Sequence, residues 1–274
     1  MSQVLAISGL LAAGLFAPAL PPRIEQWRRE IEAVGGGHVV VVEVETSADG
    51  REISFPADTA FGNVLRRYFL EEAFVGQFTA SHALTINYYG PEGRLHLVLL
   101  NLARWGEWGA HREALLGHEL GHAWLYVNGF RSPEYAPAAP DGCLAIHAGD
   151  IVQHILIRQE LKRRGIPFQA YWIQDLERAL ARLEEEGSRR AQSATPCETA
   201  QRLAMWTDVR LGLSREDWEA FGRFDAAMRR TFPDLAGVVE EMVSRLSRID
   251  VGRRTLYRIA LDYVTGRLAS AAGF

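Results

Sequence analysis

Residues 38–46 (HVVVVEVET) form a valine-rich run that predicts a β-strand. A helix over residues 22–34 precedes it, with Pro22 near its start and Gly35-Gly36-Gly37 at its end. Asp58 is placed to cap a second helix that runs to about Val75. Two β-rich runs follow, residues 82–89 and 94–102, separated by Gly90-Pro91-Glu92-Gly93, a spacing that predicts a β-hairpin. Residues 110–117 are mostly helix formers, and Asn128-Gly129 is a helix stop. The next helix has Asp141 as a candidate N-cap, Lys162-Arg163-Arg164 against its C-terminal dipole, and Gly165 with Pro167 to end it. Beyond it the pattern is helical over residues 171–186, 198–211, 214–230, 233–247 and 253–268, with 187–196 as a surface connection. The fold class read from this order is α+β, a small mixed sheet followed by a mostly helical C-terminal part.

The helix before Asn128 carries His118-Glu119-Leu120-Gly121-His122. Positions i and i+4 share a helix face, so both imidazoles can point at one metal ion. Glu119 is rotated beside that axis, where a carboxylate takes a proton from a water that the metal activates. Leu115, Leu116, Leu120, Ala123 and Trp124 keep the surroundings apolar, and Gly121 leaves room between the histidines. These residues resemble the HExxH zinc metallopeptidases, the zincin superfamily. The resemblance implies a zincin-like fold, with a small mixed sheet packed on the motif helix and an edge strand bordering a substrate cleft. Residues 95–101 are the candidate edge strand, with an ordinary interior strand as the equal alternative. It also implies hydrolysis of peptide bonds, one zinc ion, and Glu119 as general base. The longer metzincin pattern would need glycine at position 125 and histidine at 128, and Leu125 with Asn128 removes that family.

Two histidines leave a catalytic zinc one protein ligand short. The helix over residues 141–164 carries Cys143, His147, Asp150 and His154 within about a 60° arc, on one face. In the glutamate-type zincins the resemblance implies a carboxylate ligand on a downstream helix, with a polar residue one turn later supporting a metal histidine. Asp150 ranks first on that reading, His154 second and His147 third. Cys143 ranks last, because thiolates are more typical of closed structural sites. Tyr135, Tyr126, Tyr171 and His111 compete as donors to an oxyanion. The alternative function is a non-catalytic zincin-like metal-binding or interaction protein, which keeps the metal for structure or recognition or has core histidines and no metal.

Composition changes this picture little. The 274 residues are 48% hydrophobic and 23% charged with a net charge of −4, an ordinary globular balance with no basic field for nucleic acid. The expected organisation is an N-terminal apolar segment over 1–21, a zincin-like domain over 22–187 and a helical region packed on it over 188–274. Residues 4–20 carry no charge, and Ala17-Pro18-Ala19 resembles a small-residue cleavage site, although no Lys or Arg precedes the run. Export or membrane anchoring through this segment is therefore slightly favoured over packing on the domain. The two cysteines, Cys143 and Cys197, suit a disulfide in an exported protein and separate thiols in a reducing compartment equally well. Peptide or protein substrates are the expected partners.

Overall fold

The valine-rich run is a strand over its whole predicted length, β2 (His38–Thr46), preceded by helix α1 (Pro22–Gly35). A computed structural model describes residues 6–9, 20–47, 52–56, 59–131, 142–186 and 194–274. The hairpin is present as β4 (Ala83–Gly90) and β5 (Gly93–Asn101), antiparallel, with Thr85 opposite Val98. Two short strands complete the sheet. β3 (Glu52–Phe55), which the sequence pattern did not reveal, pairs antiparallel with β2, and β1 (Ala6–Gly9) pairs parallel with β3. The strand order is β1-β3-β2-β5-β4, a mixed sheet within an α+β fold.

This order decides between the two readings of residues 95–101 in favour of the interior strand. β5 pairs in parallel with β2 on one side and antiparallel with β4 on the other, so it is interior. Its side chains explain why. Leu97, Val98, Leu99 and Leu100 are all 0% exposed, which requires cover on both faces of the sheet. On one face Leu95, Leu97 and Leu99 join Phe69, Phe74 and Phe78 in a buried cluster. Those phenylalanines come from α2 (Ala60–Phe69) and α3 (Glu72–Ala80). The single helix expected to run to Val75 is thus two helices, broken at Leu70-Glu71. The break lets Phe69 meet Phe74 edge-on, with ring centroids 5.3 Å apart. Asp58, its expected cap, lies outside the described residues; Thr59 caps α2 by accepting from Gly62 N–H. On the other face, His96 lies against Tyr126 of the motif helix.

By compactness the chain comprises two units, Met1–Asn128 with Leu161–Phe168, and Gly129–Glu160 with Gln169–Phe274. The first holds the sheet, α1 to α3, the short helix α4 (Trp105–Trp108) and the motif helix α5 (Arg112–Val127). α5 stops where expected, with Asn128 as its C-cap and Gly129 at φ 81°, a left-handed turn that suits glycine. Helix α6 (Gly142–Arg164) begins within the second unit. The others there are α7 (Gln169–Glu186), α8 (Pro196–Gly212), α9 (Phe221–Thr231), α10 (Ala236–Leu246) and α11 (Arg254–Ala272). A Thr195/Glu198 capping box starts α8. The helix expected over residues 214–230 starts only at Phe221. Before it, Trp218 N–H donates to the Ser214 carbonyl in a turn that buries the Trp218 side chain.

Residues 1–5 and 10–19 lie outside the described residues, so most of the segment read as an export signal or anchor does too. Asp141 and Tyr135 also lie outside them, as do residues 187–193 of the expected surface connection. Among the described residues no helix is long and apolar enough to cross a membrane.

Candidate metal centre

α5 buries most of its length, including Leu115, Leu116, Leu120, Ala123 and Leu125. Such a helix holds its polar side chains in fixed positions, because the apolar packing around it leaves few alternatives. His118 and His122 stand one turn apart, with ring planes 82° to each other and Nε2 atoms 3.3 Å apart. That separation has a direct chemical meaning. Two nitrogens bound at about 2.0–2.1 Å in a tetrahedral shell lie about 3.3 Å from each other.

Glu119 is 5% exposed. The Thr85 hydroxyl on β4 lies 2.7 Å from Glu119 Oε2, to which it donates, and 3.0 Å from the Glu119 backbone carbonyl. The other carboxylate oxygen, Oε1, is 4.0 Å from His118 Nε2. The general-base candidate is therefore held beside the histidine pair by a hydrogen bond from the sheet. Sequence reading missed Thr85, and a lone threonine in a strand carries no local signal of this role.

α6 places its four chemistry-bearing residues differently from one another. Cys143 forms a disulfide with Cys197 at the start of α8, across a Cα–Cα distance of 6.0 Å. His147 Nδ1 lies 4.0 Å from Asp150 Oδ2, and the Asp150 side chain is 41% exposed. Burial pushes the His147 pKa below the ordinary imidazole value, against the opposing charge of Asp150. His154 Nδ1 lies 3.2 Å from Asp208 Oδ2 on α8, while Arg158 Nη1 donates to Asp208 Oδ1 at 2.7 Å. Burial works against both charges of this pair. The Arg158 and His154 cations more than offset it at Asp208, whose pKa falls to about 2. The Asp208 carboxylate likewise outweighs burial at His154 and raises its pKa.

Among the described residues, His118 and His122 of α5 are a pair that could share one metal ion. On the α6 face the second-ranked residue, His154, differs from Asp150 and His147 in its partner on α8. Asp150 is the more exposed residue and has the shorter side chain, whereas the longer imidazole of His154 is held by Asp208. Of the oxyanion candidates, Tyr126 packs its ring on Tyr89 at 5.3 Å, Tyr171 is buried, and His111 is the N-cap residue of α5.

Asp208 and Arg158 were not singled out from sequence. The available signal was an aspartate between the apolar residues Trp206 and Val209 of α8, both buried. Comparisons with known proteins find no relative: no family, no curated protein and no solved structure matches this chain.

Proposed function

We propose that this protein is a zinc-dependent metallopeptidase in which His118, His122 and His154 hold one zinc ion and Glu119 is the general base. The observation that carries the reading is the 3.3 Å separation of the His118 and His122 Nε2 atoms on a buried helix. Imidazole nitrogen suits zinc, and a three-residue ligand set leaves the fourth position open, as catalytic sites do. When bound, the ion supplies Lewis-acid activation of a water and of the scissile carbonyl.

The chain's own residues account for the rest. Thr85 donates to the Glu119 carboxylate and so holds it in place, ready to accept a proton from the activated water. Glu119 then delivers that proton to the departing amide nitrogen. β4 supports a peptide as the substrate. Among the described residues it pairs on one side only, with β5, and it carries Thr85. An extended peptide added to its other side would gain backbone hydrogen bonds next to Glu119.

The test is zinc analysis of the purified protein together with hydrolysis of a fluorogenic peptide pool by wild type and Glu119→Gln. About one zinc per chain in both proteins is expected, with activity lost by about 10²–10⁴-fold in the variant. Zinc in both proteins without hydrolysis by wild type would identify a metal-binding module instead. Absence of zinc after reconstitution would reject the site.

A further inference from the structure

His154 is held by more than its own helix. α6 and α8 meet at three points with one sequence offset. Cys143 is bonded to Cys197, and His154 meets Asp208 at the same separation of 54 residues. Arg158 and Gly212 keep that offset, and a Cβ on Gly212 would stand 2.5 Å from Arg158 Nη1. A constant offset along two helices of equal rise means that they run parallel and in register. The disulfide closes one end. About 16 Å further along come His154 and Asp208, and about one turn beyond them Arg158 lies against the bare backbone of Gly212.

This arrangement uses both carboxylate oxygens of Asp208. Arg158 takes Oδ1 at 2.7 Å, and its guanidinium lies 5.0 Å above the Trp172 ring of α7. Oδ2 faces His154 Nδ1 at 3.2 Å. An ionised carboxylate only accepts, so the proton in this contact belongs to Nδ1.

We propose that Asp208 is a positioning residue for the metal: it accepts the His154 Nδ1–H and so fixes the ring and tautomer that present Nε2 as the ligand atom. The inference rests on the reading of His154 as a metal ligand. Arg158 holds the Asp208 carboxylate in its orientation by donating to Oδ1. Gly212 lets Arg158 lie against α8, and the disulfide keeps the two helices in register. Carboxylates that orient ligand histidines in this way affect metal affinity by about 10- to 100-fold.

The experiment measures zinc affinity by chelator competition, and the visible spectrum of the cobalt(II) form, for wild type, Asp208→Asn and Asp225→Asn. Asp225 is the control: a carboxylate of the same unit that binds Arg210, Arg229 and Trp206. Asp208→Asn is expected to bind zinc about 10- to 100-fold more weakly and to alter the cobalt bands. Asp225→Asn is expected to lower the melting temperature of the metal-free protein and leave zinc affinity within about threefold of wild type. If Asp208→Asn does not fold, Asp208→Glu carries the test, because it keeps the charge beside Arg158 and displaces the acceptor oxygen. Unchanged zinc affinity and cobalt spectrum in a folded Asp208 variant would overturn the proposal while leaving the metal site intact. An equal loss in Asp225→Asn would overturn it too, by tracing the effect to general destabilisation. If wild type itself binds no zinc, it is the reading of the three histidines that fails.

Discussion

Thr85→Val removes one hydroxyl and nothing else of size, so it isolates the contact that links the sheet to the candidate base. Valine keeps the β-branched shape that a strand favours, and β4 should pair with β5 as before. What is lost is a donor 2.7 Å from a carboxylate that is 5% exposed. A hydrogen bond to a charged group contributes about 1.5–3 kcal/mol. If the whole loss appears at the transition state, kcat falls by about 12- to 160-fold, and a partial loss gives about tenfold. The proposed zinc ligands are untouched, so metal content and zinc affinity should match wild type. KM should change by less than about twofold, because Thr85 contacts the proposed base rather than bound substrate. Thr85→Ser restores the donor and should recover activity to within about threefold of wild type. The assay is steady-state hydrolysis of a fluorogenic peptide, with zinc measured on the same samples. A Thr85→Val protein that folds, holds zinc and turns over at the wild-type rate would refute the positioning of Glu119 by the sheet.

Three further outcomes are expected. His96 is fully buried, its Nδ1 lies 2.6 Å from Asn87 Oδ1, and burial lowers its pKa from 6.5 to about 4. Between those values the unfolded chain takes up a proton that the folded protein refuses. Stability on this account is fully present above about pH 6.5 and falls by up to about 3 kcal/mol as pH drops to 4. Urea denaturation of wild type and His96→Gln should show a shallower pH dependence in the variant, and parallel curves would exclude this origin. Replacing Cys143 and Cys197 by serine opens a loop with a sequence separation of 54, for which loop closure predicts a loss of about 4 kcal/mol. A fall in unfolding free energy below about 1 kcal/mol would show that helix packing alone maintains the α6–α8 register. Finally, His154→Ala should reduce zinc binding and peptide hydrolysis together, whereas Asp150→Ala should spare both. The opposite pattern would return Asp150 to the ligand set.

The short-range patterns were legible in the sequence because the chain's own geometry encodes them. His118 and His122 face one way because four residues span about one helical turn, whatever surrounds the helix. Residues 38–46 and the hairpin around Gly90 and Gly93 were readable from β-branched runs and turn chemistry. The polar face of α6 was visible for the same reason, as a single helical stripe. Which member of that stripe is buttressed from a neighbouring helix was not visible. Asp150 and His154 share the face, and the buttress that distinguishes them, Asp208, is on another helix.

Strand order was likewise undetermined by sequence. The apolar run of residues 97–100 signals burial on both faces, yet it does not name the two neighbours that make β5 interior. β3 is too short to leave a periodic trace, and it is a strand because β2 lies beside it. Sequence alone therefore determined the α+β class, the presence of a histidine pair with an adjacent acid, and the helix from which a further ligand could come. Tertiary structure alone decided that Thr85 holds Glu119 and that Asp208 holds His154. Hydrogen bonds between segments 34 and 54 residues apart depend on how the chain packs, and no local pattern records them.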